Sequence, residues 1–389
     1  MRVLHVSSEY PPIQVFGLGR AVQSLATAQA SLGADVHVVT NSIGGQDRDV
    51  TMEGVRVHRI DFPSPPKPPD DTSAVIQFNI SALQTAARVA DNTGVPDVIH
   101  VHDWLTVLCG RVLKWMHPAA QLVCTIHDTA QGKYFGRLER WQQYMAHLER
   151  WAGIEADSVI CCSEFVRGEM IQHYDCPPGR IAVIPCGVDE RRSAVEGDLA
   201  SFRTMFGAPD DLLVLYLGRL DQEKGVGVLL DAMSQVVGIV PQAKLLLVGK
   251  GPLQAALQEQ MRGLNLGSRA EFVGYLTGNV LAAVLRQAAV LVVPSLYEPF
   301  GIVALEGMLT HTPVVVSDTG GLSEIVTDGE TGLKAAPGDA RSLAQAILRV
   351  LCDDALRERL AENGYQHART HYDCRDMAAR TLQAYGCEA

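Results

Sequence analysis

The chain has 389 residues, 47% of them hydrophobic and 20% charged, with a formal net charge of −11. That length allows two domains of ordinary size, and the composition is that of a globular protein rather than a disordered or fibrous one. The acidic balance speaks against a nucleic-acid partner, which needs a basic surface to neutralise phosphates, and no apolar run nears the roughly 20 residues of a membrane span.

The N-terminal apolar stretch is too short for a signal peptide, so a cytoplasmic location is expected. The nine cysteines lack CxxC spacing, which predicts reduced, mostly buried thiols rather than a disulfide framework or a zinc site. Short β-branched runs alternate with helical patterns: a strand at 2–7, a helix at 21–32 and a strand at 35–40. This is the rhythm of parallel α/β units. Further strands are expected at 55–60, 98–102, 121–126, 158–162 and 181–184, before a turn at Pro185-Cys186-Gly187. Residues 63–69 hold five prolines and read as an exposed loop.

After a polar stretch around 190–198 the rhythm restarts with strands at 212–217, 244–248, 270–273, 290–293 and 313–316, implying a second doubly wound domain. The chain ends in helices at 343–360 and 372–385. Two such domains joined by a short hinge predict a cleft lined by the carboxyl ends of both sets of strands.

The motifs fall at those strand ends. Glu298-Pro299-Phe300-Gly301-Ile302-Val303-Ala304-Leu305-Glu306 follows the strand at 290–293 and opens a helix near Phe300. Glu298 is expected at the helix mouth and Glu306 two turns in, with unpaired N–H groups near Gly301 and Ile302 forming an anion site. The spacing alone fits equally a helix with acidic residues on a solvated face. Gly218-Arg219-Leu220 and Glu223-Lys224-Gly225 follow the strand at 212–217, where an arginine fork and a lysine suit a diphosphate. Thr319-Gly320-Gly321-Leu322 and Gly249-Lys250-Gly251-Pro252 end two more strands and read either as close approaches to a ligand or as simple turns.

In the first half, Gly17-Leu18-Gly19 precedes a helix and offers N–H groups to a phosphate or sugar, while His100-Val101-His102-Asp103-Trp104 and Thr125-Ile126-His127-Asp128 put polar groups at strand ends. His100 and His102 share a strand face without an obvious third metal ligand, and no Asp-x-Asp motif stands where it would hold a metal on a nucleotide diphosphate. Chemistry without metal or cofactor is the expectation, with Arg219 and Lys224 in the place of a magnesium ion.

Read together, these motifs resemble the retaining GT-B glycosyltransferases, in particular the bacterial family 4 group and the glycogen or starch synthases. Glu298 and Glu306 match that group's E-x7-E, Gly218-Arg219-Leu220 with Lys224-Gly225 its G-R-L…K-G, and Ile184-Pro185-Cys186-Gly187-Val188-Asp189 its hinge. The resemblance implies two Rossmann-like α/β domains facing each other across a cleft: an acceptor-binding domain over 1–188, a nucleotide-sugar-binding domain over 189–370, and a C-terminal helix over 371–389 that packs back toward the first.

It implies that Arg219 and Lys224 bind the donor diphosphate, Glu298 the sugar hydroxyls and Glu306 the ribose, with Gly301, Ile302 and Val303 supporting the phosphates. His127 is implied beside the anomeric carbon, and His127, Arg219, Lys224 and Glu298 form the implied catalytic set. Gly17, Gly251, Tyr275 and Phe300 are implied donor contacts, and Asp103, Gly320 and Gly321 acceptor or sugar contacts. The synthases' K-x-G-G-L loop falls on Gln14-Val15-Phe16-Gly17-Leu18, without its lysine and first glycine, whereas Thr319-Gly320-Gly321-Leu322 does look like their T-G-G-L.

The activity so implied is transfer of a hexose, by default glucose, from a UDP-, ADP- or GDP-sugar to a sugar, glycan or small-molecule hydroxyl, with retention of configuration. Alternatives of the same fold are a nucleotide-sugar 2-epimerase and a non-catalytic nucleotide-sugar binder.

Overall fold

A computed structural model of the chain describes residues 1–12, 17–42, 48–60, 71–193, 195 and 204–386. The proline-rich loop at 63–69 and the stretches at 13–16 and 196–203 lie outside the described residues. Two compact units emerge: Met1–Gly187 together with the segment from Cys374, and Val188–Asp373. The sequence division at 188 and 370 thus differs from the structural one by one and three residues.

In the first unit the strands are β1 (Arg2–Val6), β2 (Asp35–Thr40), β3 (Asp49–Met52), β4 (Val55–Arg59), β5 (Val98–His102), β6 (Gln121–Ile126), β7 (Ser158–Cys161) and β8 (Ile181–Val183). They form one sheet in the order β3-β4-β2-β1-β5-β6-β7-β8. Every pairing is parallel except that of β3 with β4. The short edge strand β3 was not expected, because its half-exposed Asp49-Val50-Thr51-Met52 carries too little apolar signal.

The first helix runs over Gly17–Ser31, four residues longer at its start than the apolar periodicity suggested, since its first turn carries two glycines and an arginine and only Leu18 as an apolar side chain. It buries Val22, Leu25, Ala26 and Gln29, the i, i+3, i+4, i+7 stripe of an amphipathic helix. The C-terminal helix Cys374–Ala384 packs on it, with Met377, Ala378 and Tyr385 joining Leu25 and Ala28 in one cluster under β1 and β5.

The second unit holds β9 (Leu212–Leu217), β10 (Ala243–Val248), β11 (Ala270–Gly274), β12 (Val290–Val293), β13 (Val314–Ser317) and β14 (Leu333–Ala335). The order β11-β10-β9-β12-β13-β14 is parallel throughout. Its strands are near-continuous apolar runs because helices cover both faces. Leu245, Leu247, Val292 and Ile347 are completely buried in its core, each worth about 1.5–3 kcal/mol of apolar burial. The helix expected over 343–360 is two helices, Ala340–Cys352 and Asp354–His371. The break falls at Asp353, whose carboxylate accepts from the Leu356 N–H at 2.9 Å and so starts the second helix.

Candidate active site

In the second sheet the chain goes from β9 outward to β10 and β11 on one side, then returns to β12 and β13 on the other. The switch point lies between β9 and β12, and parallel sheets leave a crevice beyond the carboxyl ends of such a strand pair. Two of the four motifs singled out in this half, Gly218–Gly225 and Glu298–Glu306, leave those two strands. Their loops are stitched together: the Glu223 carbonyl accepts from Leu296 N at 2.8 Å and Tyr297 N at 3.2 Å. Gly225 sits at φ 64°, where an added Cβ would stand 2.1 Å from the Pro294 carbonyl oxygen. Only glycine tolerates that conformation and contact.

This stitching brings Lys224 Nζ to 3.0 Å from Glu298 Oε2. Ser295 Oγ donates to the same oxygen at 3.0 Å. The helix after Glu298 spans Ile302–Leu309 with Gly301 as its cap at φ 116°. Glu306 is therefore one turn into the helix, not two, because the helix starts two residues after Phe300. The first N–H groups of this helix have no intrahelical partner by geometry, which leaves those of Ile302 and Val303 at the mouth beside Glu298.

Other expected contacts have structural partners. Arg219 forms ion pairs with Asp221 and Glu223 through its two terminal nitrogens. The Phe300 side chain is buried edge-on against Tyr372, with centroids 6.0 Å apart, so its ring belongs to the core. Gly321 N–H donates to the Glu298 carbonyl at 2.9 Å, and a Cβ there would come within 2.5 Å of Phe300 Cα. Gly320, at φ 53°, makes the preceding turn. A Cβ on Gly251 would lie 2.5 Å from the Leu220 carbonyl oxygen, so this glycine serves close packing of two loops. Tyr275 follows the edge strand β11, half exposed and two strands from the switch point.

In the first sheet the switch point lies between β1 and β5. Beyond β5, Asp103 adopts φ 59°, a left-handed conformation uncommon for a residue with a side chain. Its Oδ1 accepts from the His127 N–H at 2.6 Å, tying the loop after β5 to that after β6. Burial, then repulsion from Asp128, raises the Asp103 carboxyl well above the carboxylate range. Gly17, the first residue of its helix, is exposed.

His127 is half-buried just past β6, and burial holds its imidazole down at about 4, opposed in part by Asp128. Its Nε2 lies 3.3 Å from His102 Nδ1. His102 Nε2 in turn meets His5 Nδ1 at 3.0 Å, and His5 Nε2 meets Gln29 Oε1 at 2.8 Å. Gln29 Nε2 reaches Tyr385 Oη at 3.1 Å; that hydroxyl bonds His100 Nδ1, and His100 Nε2 reaches Thr125 Oγ1 at 2.6 Å. A cavity of about 20 Å³ beside His102, Thr125, His127 and Cys162 has room for about one water and none for a sugar.

His5, Gln29 and Tyr385 escaped the sequence reading. A signal did exist for Gln29, a polar residue at the i+7 position of an apolar helix stripe. His5 also supplies the third imidazole thought to be missing beside His100 and His102: the three rings offer nitrogens within 4.8 Å of one another. All six of their nitrogens already have hydrogen-bond partners, and no carboxylate belongs to the group, so the geometry is that of a hydrogen-bonded chain. One Asp-x-Asp triplet does occur, Asp47-Arg48-Asp49. Asp47 lies outside the described residues, and Asp49 is held at the sheet edge by Arg88, at 3.0 and 3.1 Å, and by His58 at 2.6 Å.

Residues 15–192 match the family described as Glycosyltransferase Family 4, and residues 203–367 that described as Glycosyl transferases group 1. A glycogen synthase of Mycobacterium tuberculosis is 34% identical over 99% of this chain and 94% of its own length. Sucrose-phosphate synthase from Thermosynechococcus elongatus superposes with a TM-score of 0.85 at 29% identity, covering 99% of this chain and 98% of that one. An Anabaena protein solved in complex with UDP-glucose has a TM-score of 0.78 at 21% identity, over 99% of both chains. With two parallel Rossmann-like units carrying these motifs at their switch points, the chain belongs to the family 4 glycosyltransferases of the GT-B fold.

Proposed function

We propose that the chain moves a hexose, glucose in the first instance, from a nucleotide sugar to an acceptor hydroxyl with retention of configuration and without a metal ion. The observation that carries this reading is the Lys224–Glu298 pair at the β9/β12 switch point, beside the mouth of the helix Ile302–Leu309. A cation, a carboxylate and unpaired N–H groups in one place suit a sugar diphosphate: the N–H groups and Lys224 take the phosphates, and Glu298 takes sugar hydroxyls. Arg219 joins by exchanging Asp221 or Glu223 for a phosphate oxygen. Glu306, one turn along the same helix, is the proposed ribose contact.

In the reaction the bond between the anomeric carbon and the phosphate oxygen breaks and its electron pair passes to that oxygen. The charge gathering there is met by Lys224, Arg219 and the helix N–H groups. The same oxygen takes the proton of the acceptor hydroxyl, which bonds to the anomeric carbon from the face the phosphate leaves. The name of the Mycobacterium relative and the UDP-glucose in the Anabaena structure support a glucosyl donor. The sequence differences at Gln14 and Phe16 speak against polymer elongation.

Thermal shift against UDP, ADP and GDP and their glucose, N-acetylglucosamine and mannose conjugates tests the donor, since a ligand far above its dissociation constant adds several kcal/mol of stability. One nucleotide series should raise the transition. NMR of the product in the presence of EDTA should then show the donor's own anomeric configuration. No shift with any nucleotide overturns the reading. An epimer formed from the donor alone would replace transfer by 2-epimerisation.

A further inference from the structure

We propose that Gln29, acting through His5 and His102, fixes His127 in the Nε2–H tautomer, so that His127 presents the bare lone pair of Nδ1 as an acceptor for a sugar hydroxyl. Gln29 is a positioning residue in this scheme, because it touches His127 only through two other rings.

The argument is one of donor counting. A neutral imidazole carries one N–H and one lone pair, on different nitrogens. Gln29 turns its carbonyl oxygen to His5 Nε2 and its amide nitrogen to Tyr385 Oη. An amide oxygen only accepts, so the proton of His5 is on Nε2 and its Nδ1 is a lone pair. The proton between His5 and His102 must then come from His102 Nε2. That leaves His102 Nδ1 as an acceptor, and the proton between it and His127 must come from His127 Nε2. Three links later, Nδ1 of His127 is the nitrogen without a proton.

The other arm agrees. Tyr385 accepts from the Gln29 amide, so its own proton goes to His100 Nδ1, and His100 Nε2–H donates to Thr125. Gln29, His5 and His100 have no exposed surface and His102 has 1%, so bulk water does not compete along the chain, and the one-water cavity borders only His102, His127 and Thr125 of it. Desolvation keeps the rings neutral, with His5 and His127 held down at about 4 and His102 well below the usual range. Reversing the one amide of Gln29 would reverse every link, which makes this glutamine the element that selects the tautomer. Such coupling through a low-dielectric chain is stronger than any single link.

The assignment of a sugar hydroxyl as the partner of Nδ1 rests on the proposed function; the tautomer itself does not. The test is a long-range 1H–15N spectrum of the full chain labelled at histidine nitrogen, with His127 assigned through His127→Asn. In the unsubstituted protein the pyridine-type nitrogen of His127, His102 and His5 should be Nδ1. Gln29→Leu should turn His127 into an averaged mixture of tautomers, and Gln29→Glu, which still accepts from His5 Nε2, should restore it. A protonated Nδ1 in the unsubstituted protein, or an unchanged His127 in Gln29→Leu, overturns the proposal, and the first of these needs no variant to fold. Adding UDP-glucose should then shift Nδ1 of His127. Binding of the nucleotide sugar without that shift overturns the hydroxyl contact alone, whereas absence of binding overturns the donor.

Discussion

The two units use one topology and opposite electrostatics. Both end their central strands at a switch point in polar residues, yet the first unit collects imidazoles kept neutral by burial, whereas the second collects ion pairs. The difference follows from what each group can exchange. A buried ring without a carboxylate beside it loses its proton rather than its hydrogen bonds. In the second unit Lys224 instead stands in a 3.0 Å ion pair with Glu298. The first unit is thus suited to directing hydrogen bonds, and in the proposed function the second neutralises phosphate.

The contrast is broken most directly at Lys224. Lys224→Ala should lower turnover by about 10²–10³-fold, the loss typical of removing one transition-state charge contact. Circular dichroism should be unchanged, and near-normal turnover would remove the second unit's claim to the diphosphate. Next in size is Gly225→Ala, which forces a Cβ to 2.1 Å from the Pro294 oxygen in a left-handed conformation. A cost of about 3 kcal/mol is expected. Calorimetry should show the transition of the second unit lowered, and an unaltered transition would mean that the β9 and β12 loops are not held by this contact.

On the neutral side, Tyr385→Phe removes the hydroxyl joining Gln29 to His100 and leaves a buried donor and a buried acceptor unmatched, for about 2 kcal/mol. All four tryptophans lie in the first unit, so their fluorescence during urea unfolding reports this loss. The most gradual effect is that of pH, at most about 1.4 kcal/mol per pH unit for each histidine. His5 sits at about 4 in the fold against 6.5 unfolded. Between those values the unfolded chain binds more protons, so stability is full above pH 6.5 and falls as pH drops toward 4. Glu149, buried and accepting from Ala130 N, is pushed up by desolvation from 4.5 to about 8. Its contribution is full below pH 4.5 and lost as pH rises toward 8, so it opposes the histidines. The urea midpoint should be lower at pH 5 than at pH 7, and Glu149→Gln should steepen the drop. An equal midpoint at both pH values in Glu149→Gln, where that opposing contribution is gone, would mean that the rings are charged in the fold.

Sequence alone determined the parallel α/β rhythm, most strand positions and the motif residues at strand ends, because buried parallel strands read as apolar runs and their loops carry the exceptions. Strands β2, β5, β6, β9 and β12 begin and end where the pattern placed them. Local patterning also showed Lys224 and Glu298 as separate candidates. Only tertiary structure decided that they pair across 74 positions, that Arg219 is already engaged by two carboxylates, and that Phe300 belongs to the core. The histidine chain lies further still from local information. His5, Gln29, His102, His127 and Tyr385 come from three strand regions, one helix and the residue just past another, joined by hydrogen bonds that reach across up to 356 positions, and a tautomer is a property of the closed network, because each proton is placed by the acceptor one ring away.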